Sequence, residues 1–167
     1  MTWLDEIPLH EKKVVEELKR RTINDVTPKM LEDESLFYRF CKARDFVLED
    51  AEAMLRKHIT WRMQFQVDSI VTHYKPPEAV RKYTPYSFIG FDKEDCVIRY
   101  VDYGNADLKG LFNSARKSDY VKFSVYTIES DLEKTKQRNK ETGKLVTNTT
   151  YIFNFENLTF AKATHKK

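Results

Sequence analysis

Apolar residues along the first half of the chain recur with the period of helices that each bury one face. Leu36, Phe40 and Ala43 fall at i, i+4 and i+7, and Ala51, Leu55 and His58 repeat that spacing, flanked by Met54, Trp61 and Phe65. The pattern breaks near Asp45-Phe46, which predicts two helices, the second from about Leu48 to Phe65. Upstream, residues 10–23 form a further helical pattern on Val14, Val15, Leu18 and Ile23. There Glu16 and Glu17 stand four residues before Arg20 and Arg21, the favourable order for helix ion pairs. Asn24-Asp25 followed by Pro28 reads as a break and a short turn of helix, and Asp33 or Ser35 is placed to cap the Leu36 helix. A short segment from Asp68 to Tyr74 stops at Pro76-Pro77, and another short helix runs to Tyr83.

At Pro85 the period changes to alternation. Ser87–Phe91 and Cys96–Tyr103 read as two strands joined by the tight acidic turn Asp92-Lys93-Glu94-Asp95. In the second strand Cys96, Ile98 and Tyr100 share one face, and Val97, Arg99 and Val101 share the other. Gly104-Asn105 ends the hairpin. From Ser118 to about Glu141 the helical period returns on Val121, Val125, Ile128 and Leu132, and a polar tail ends at Gly143. Val146–Phe155 then reads as a strand, parallel to its neighbour because a crossover helix precedes it. The expected fold class is α/β: an N-terminal all-helical lobe over residues 1–75, then the first part of a mixed α/β domain over residues 76–167. So little sheet does not close such a core, and Phe160–Lys167 resembles the start of a helix or loop, so a truncated protein is expected.

Composition narrows this picture. At 167 residues, with 41% hydrophobic and 33% charged residues, the chain has the profile of a globular cytosolic protein. Cys41 and Cys96 stand alone and predict reduced thiols. The N-terminus lacks the apolar stretch of a secretory signal, and no run has the length of a membrane span. The Asn148 and Asn157 glycosylation-like triplets are then chance matches. Twenty-nine basic against 26 acidic residues give no strong field, so nucleic acid is not an expected partner, and the Lys19-Arg20-Arg21 cluster is read as a solvated helix face.

Catalytic chemistry finds no foothold. The four glycines form no phosphate loop, and His10, His58, His73 and His165 have no metal-ligand spacing. There is no GxSxG elbow, and Glu129, Asp131 and Glu133 point in different directions on one helix. The chain is not expected to be an enzyme or to carry a cofactor.

Three blocks, in order, resemble the CRAL-TRIO lipid-binding and lipid-transfer family, with a flavour of the animal branch related to supernatant protein factor. The first carries Leu36, Arg39, Phe40, Ala43, Arg44, Phe46, Ala51, Met54, Leu55, Trp61 and Arg62. The second carries Gly90, Asp92, Lys93, Tyr100, Gly104, Asp107, Lys109, Gly110 and Leu111. The third is Thr150–Leu158, with Asn154 and Asn157 where the family has Asp and Gly. Other departures are Asp95 for a turn Gly, Val97 for Pro, Arg99 for an aromatic, Val47 for a helix-capping Asp, and Asp45 for a Lys that some phospholipid-transfer members carry.

The resemblance implies non-catalytic binding and transfer of a hydrophobic lipid in an apolar cavity: a phospholipid, a phosphoinositide or a tocopherol-like molecule. It further implies a cytoplasmic protein that meets membrane surfaces transiently. Phe88, Ile98, Tyr100 and Tyr126 are the candidates for the cavity wall. Arg39, Phe40, Arg44, Phe46, Trp61 and Arg62 are the structural motif. The alternative is a protein-interaction module acting through the helical lobe, or a short isoform without a lipid pocket.

Overall fold

The computed structural model describes residues 7–160, which fall into two compact units divided after Ser69. The first unit holds α1 (Leu9–Thr22), α2 (Pro28–Leu31), α3 (Leu36–Lys42), α4 (Leu48–Phe65) and a 3-10 turn at Val67–Ser69. Its core joins Val15 and Leu18 of α1 to Met30, Leu36, Phe37, Phe40, Cys41, Ala51, Leu55 and Ile59. Of the positions the helical period marks, Val15, Leu18, Leu36, Phe40, Ala51 and Leu55 are core, whereas Ala43 and Trp61 are exposed and His58 is half-buried. The pattern breaks where the backbone turns left-handed, at Asp45 (φ 49°) and Phe46 (φ 58°). Gln66, also left-handed at φ 55°, ends α4. Val47 stands at the N-cap of α4 and supplies no side-chain hydrogen bond, as its replacement of Asp predicts.

Of the other helices in this unit, α2 carries a side-chain cap, whereas Pro8 before α1 and Ser35 before α3 supply none, so the cap expected for α3 is not made. The Thr27 hydroxyl accepts from the Met30 amide at the start of α2. Before α3, Asp33 accepts from both the amide (3.0 Å) and the hydroxyl (2.6 Å) of Ser35. On α1, Glu17 rather than Glu16 engages the arginines, pairing with Arg20 at 2.7 Å and Arg21 at 2.8 Å. That contact pulls the Glu17 carboxyl down to about 2.

The second unit holds α5 (Ile70–His73), α6 (Glu78–Tyr83), β1 (Tyr86–Phe91), β2 (Val97–Asp102), α7 (Leu108–Ser114), α8 (Lys117–Thr142) and β3 (Thr149–Asn154). The short helix α5, read from sequence within the helical lobe, goes with this unit and packs on α8. The sheet order is β1-β2-β3, with β1 antiparallel and β3 parallel to the central strand, as the crossover requires. A bulge between Phe88 and Gly90 places Phe88 opposite Arg99 and Gly90 opposite Ile98.

Two features depart from the sequence expectation. Helix α7, capped by Asp107 on the Gly110 amide, is too short to carry a period and was not expected. On α8 the apolar stripe is not the face turned to the sheet: the buried residues are Asp131 and Thr135, while Val121 and Ile128 are exposed. Residues 161–167, read as the start of a helix or loop, lie outside the described residues.

Candidate functional site

Alternation along β2 divides the sheet into two chemically different faces. Val97, Arg99 and Val101 are buried on one side, and Ile98, Tyr100 and Asp102 are half-buried on the other. Arg99 is 8% exposed and reaches Asp131 of α8, 3% exposed. Its Nε donates to Oδ2 at 2.6 Å and its Nη2 to Oδ1 at 2.5 Å, a two-pronged pair that satisfies both charges out of water. Lys134 stands 3.5 Å from the same carboxylate. The face bearing Arg99 is therefore the helix side, and the charge on it is neutralised from α8.

Phe88, opposite Arg99 in the ladder, lies on this helix side. Its ring lies 5.9 Å from the Arg99 guanidinium and 5.2 Å from the Lys134 ammonium. Tyr126 of α8 packs edge-on to Tyr74 at 5.9 Å and stacks on Phe123 at 6.2 Å. Phe88, Tyr126, Tyr74, Phe123, Arg99 and Lys134 line one open cleft of about 700 Å³, with Lys75, Arg81 and Glu78 at its rim. Of the four wall candidates, the structure thus brings together Phe88 and Tyr126. Ile98 and Tyr100 occupy the opposite face, beside Ile152 of β3.

Three aromatics not marked by the sequence extend the helix-side face. Tyr151 pairs with Arg99 and Phe153 with Val101 in the ladder, so both point to the helix side. Tyr151, Phe153 and Phe155 stack in succession at 5.8 and 6.1 Å, and Tyr103 stacks on both Phe153 and Phe155 at 6.0 and 6.1 Å. They remain 43%, 47% and 56% exposed, an uncovered apolar surface. The signal was present as aromatics at every second residue of 151–155, the spacing of one strand face. Tyr86, on the same side, bonds Tyr103 through their hydroxyls at 3.3 Å, and burial pushes its phenol up to about 12.

The family departures have local partners. Asp95 takes the left-handed turn position (φ 67°) that suits Gly, and its buried carboxylate accepts from Arg138 at 2.6 Å and Lys144 at 2.6 Å. The hairpin turn is thereby clamped to the end of α8 rather than left loose. Asn157 likewise takes a left-handed position (φ 65°), which Asn tolerates. Asn154 donates to Asp102 at 2.9 Å, tying β3 to the end of β2. Gly104 is required here, because a Cβ would lie 1.7 Å from the Glu156 carbonyl oxygen.

The helical motif has structural employment. Arg39 pairs with Asp33 and donates to Ser35 Oγ at 3.0 Å, fixing the start of α3. Phe40 is core and meets His58 at 5.2 Å, while His58 and Trp61 lie 5.5 Å apart. Buried Arg62 pairs with Asp68 at 2.7 Å, and Asp68 also accepts from Thr27, so the end of α4 is tied to the start of α2. Phe46 holds the left-handed turn against Tyr38 at 5.9 Å, and Arg44 is exposed with a 3.1 Å bond to the Ala43 carbonyl. His58 is pushed down from 6.5 to about 4, chiefly by burial and then by Arg62 and Arg39. Burial likewise raises the Cys41 thiol to about 11, an inert core thiol.

A helical unit followed by a hairpin, a crossover helix and a parallel strand is a recognisable order, and family comparisons agree with it. Residues 10–57 match the model described as CRAL/TRIO, N-terminal domain, and residues 81–167 match that of the CRAL/TRIO domain. The chain belongs to the CRAL-TRIO family, for which lipid binding or transfer is the general expectation. It is 31% identical over 158 residues to "Protein real-time" of Aedes aegypti, covering 94% of this chain and 24% of that protein. It is 31% identical over 151 residues to "Protein real-time" of Anopheles gambiae, covering 90% and 22%. It is 30% identical over 148 residues to "Protein ctg-1" of Caenorhabditis elegans, covering 88% and 38%. The chain thus spans well under half the length of these curated relatives. No helix among the described residues is long and apolar enough to cross a membrane.

Proposed function

We propose that this chain binds a lipid without chemical conversion, laying its hydrocarbon part on the helix-side face of the sheet. The observation that carries the reading is the half-exposed ladder of Tyr151, Phe153 and Phe155 on the face that also holds Phe88. Each methylene withdrawn from water onto such a surface contributes about 0.8 kcal/mol. Phe88 and Tyr126 would then form the wall at the cleft end. Release and uptake would occur at membrane surfaces, with the cytoplasm as the intervening phase, which is transfer between membranes.

The test is native mass spectrometry of the chain after incubation with mixed phospholipid vesicles. A lipid retained at one per chain, and lost in Phe153→Ser, is the expected result. A folded chain that retains none would overturn the reading. A second reading, a docking surface for a protein, is favoured by the exposed Val121 and Ile128 on α8, and in it lipid would be absent.

A further inference from the structure

We infer that the outer edge of β3 pairs with the same edge of a second copy of this chain, antiparallel and two-fold, joining the two sheets into one. The inference goes beyond the lipid reading and does not depend on it. Among the described residues no strand covers that edge, because β3 stands last in the order β1-β2-β3. The chain leaves β3 toward the end of β2, where Gly104 donates to the Asn154 carbonyl at 3.0 Å and Asn157 donates to Asn105 at 2.9 Å. The residues that follow β3 therefore turn away from its free edge.

The two edges of the sheet differ in their defence against an added strand. Strand β1 carries a bulge between Phe88 and Gly90, with Gly90 at φ 138°, which interrupts the even row that a further strand needs. Strand β3 keeps an unbroken register with β2 from Thr149 to Asn154, and residues 149–155 contain no charge, no Pro and no Gly. Tyr151 and Phe153 are exposed on one face and Ile152 on the other.

Hydrogen-bond directions fix the register of the pairing. The Asp102 amide donates to the Pro85 carbonyl, so the backbone groups of Tyr100 and Asp102 serve β1 while those of Arg99 and Val101 serve β3. Across the parallel ladder the groups of Thr150, Ile152 and Asn154 then point to β2, in line with the Asn154 carbonyl accepting from Gly104. Those of Tyr151 and Phe153 point out. Antiparallel pairing centred on Ile152 sets Tyr151 against the second copy's Phe153, and each such pair exchanges both backbone bonds. Ile152 meets its own copy on the axis and Thr150 meets the second copy's Asn154. Aromatic thus lies beside aromatic, aliphatic beside aliphatic and polar beside polar. A slip of one residue would oppose outward groups to inward ones and lose the bonds.

The experiment is sedimentation equilibrium of the 167-residue chain, with variants at the residue on the axis. A reversible dimer with a dissociation constant of about 10 µM is expected, weak because the interface is one strand wide. Ile152→Lys opposes two ammonium groups and should weaken the dimer at least about tenfold, with the circular dichroism spectrum unchanged. Ile152→Cys should form a disulfide-linked dimer under copper-phenanthroline oxidation, because directly opposed residues of this kind lie about 4.5 Å apart, within disulfide reach. Ile89→Cys, also exposed but on the bulged strand β1, should stay monomeric, and the native Cys41 and Cys96 are buried. A parent chain that remains monomeric at millimolar concentration overturns the inference. So does a dimer that survives Ile152→Lys, or an Ile152→Cys chain that fails to cross-link; the lipid reading stands in each case.

Discussion

Arg99 of β2 and Asp131 of α8 form a buried, two-pronged ion pair that locks the long helix to the centre of the sheet. It sets which arc of α8 faces inward, and so places Tyr126 over the cleft and leaves Val121 outside. Removing one partner strands a charge in a dry setting, whereas replacing both with apolar groups does not. Arg99→Met alone should therefore cost about 3–5 kcal/mol of stability, and Asp131→Leu a similar amount. The double variant should recover most of that loss. Urea denaturation of the four proteins measures the coupling, and additive losses in the double variant would contradict the assignment.

The N-cap of α4 offers a gain. Val47 occupies it with extended backbone and no side-chain bond, and its side chain is exposed. Val47→Asp supplies an oxygen for the free amides of the first turn and should stabilise the helical unit by about 1 kcal/mol. Glu49 and Asp50 in that turn reduce the gain through like charge. Thermal unfolding checks it, with a rise in midpoint expected.

His58 predicts a pH dependence with a definite sign. Its folded value, about 4, lies below the unfolded 6.5, so between these pH values the unfolded chain takes up a proton that the folded chain refuses. Stability is full above 6.5 and falls on acidification through this window, by at most about 1.4 kcal/mol per pH unit. Because the ring is only partly buried, the measured slope should be smaller. His58→Gln should flatten the denaturation midpoint between pH 6.5 and pH 4 relative to the parent chain.

Asp95 tests whether a left-handed turn held by charge behaves unlike one held by Gly. Asp95→Asn keeps a side chain that tolerates the conformation but deletes the charge that Arg138 and Lys144 share. Faster amide hydrogen exchange at Cys96 and Val146 is expected, with α4 unaffected. Unchanged exchange would show the clamp to be idle.

Local periodicity told most of the fold. Of the positions that repeat at helical spacing in residues 36–62, Leu36, Phe40, Ala51 and Leu55 are core while Ala43 and Trp61 are exposed, and the break at Asp45-Phe46 is a pair of left-handed residues. What stayed hidden depends on partners distant in sequence. Nothing near Arg62 names Asp68 and Thr27 as its network, and nothing near Arg99 names Asp131, 32 residues away. The stripe on α8 misled for the same reason: period identifies a helix, but a buried ion pair chose its inward face. The candidate cleft was half legible. Phe88 and Tyr126 meet in the cleft, yet Ile98 and Tyr100 face away, because one residue of register decides the side of a strand. Alternating aromatics at 151, 153 and 155 were readable in principle, but only the parallel register with β2 gives them a face.

The placement of the lipid on one face of the sheet is tested most directly by cross-linking. A phospholipid with a photoactivatable group along its acyl chain would be loaded from vesicles, irradiated, and the modified residues mapped by peptide mass spectrometry. Adducts at Phe88, Tyr126, Tyr151 and Phe153 are the predicted result. Adducts confined to Ile98, Tyr100 and Ile152, on the opposite face, would contradict the account.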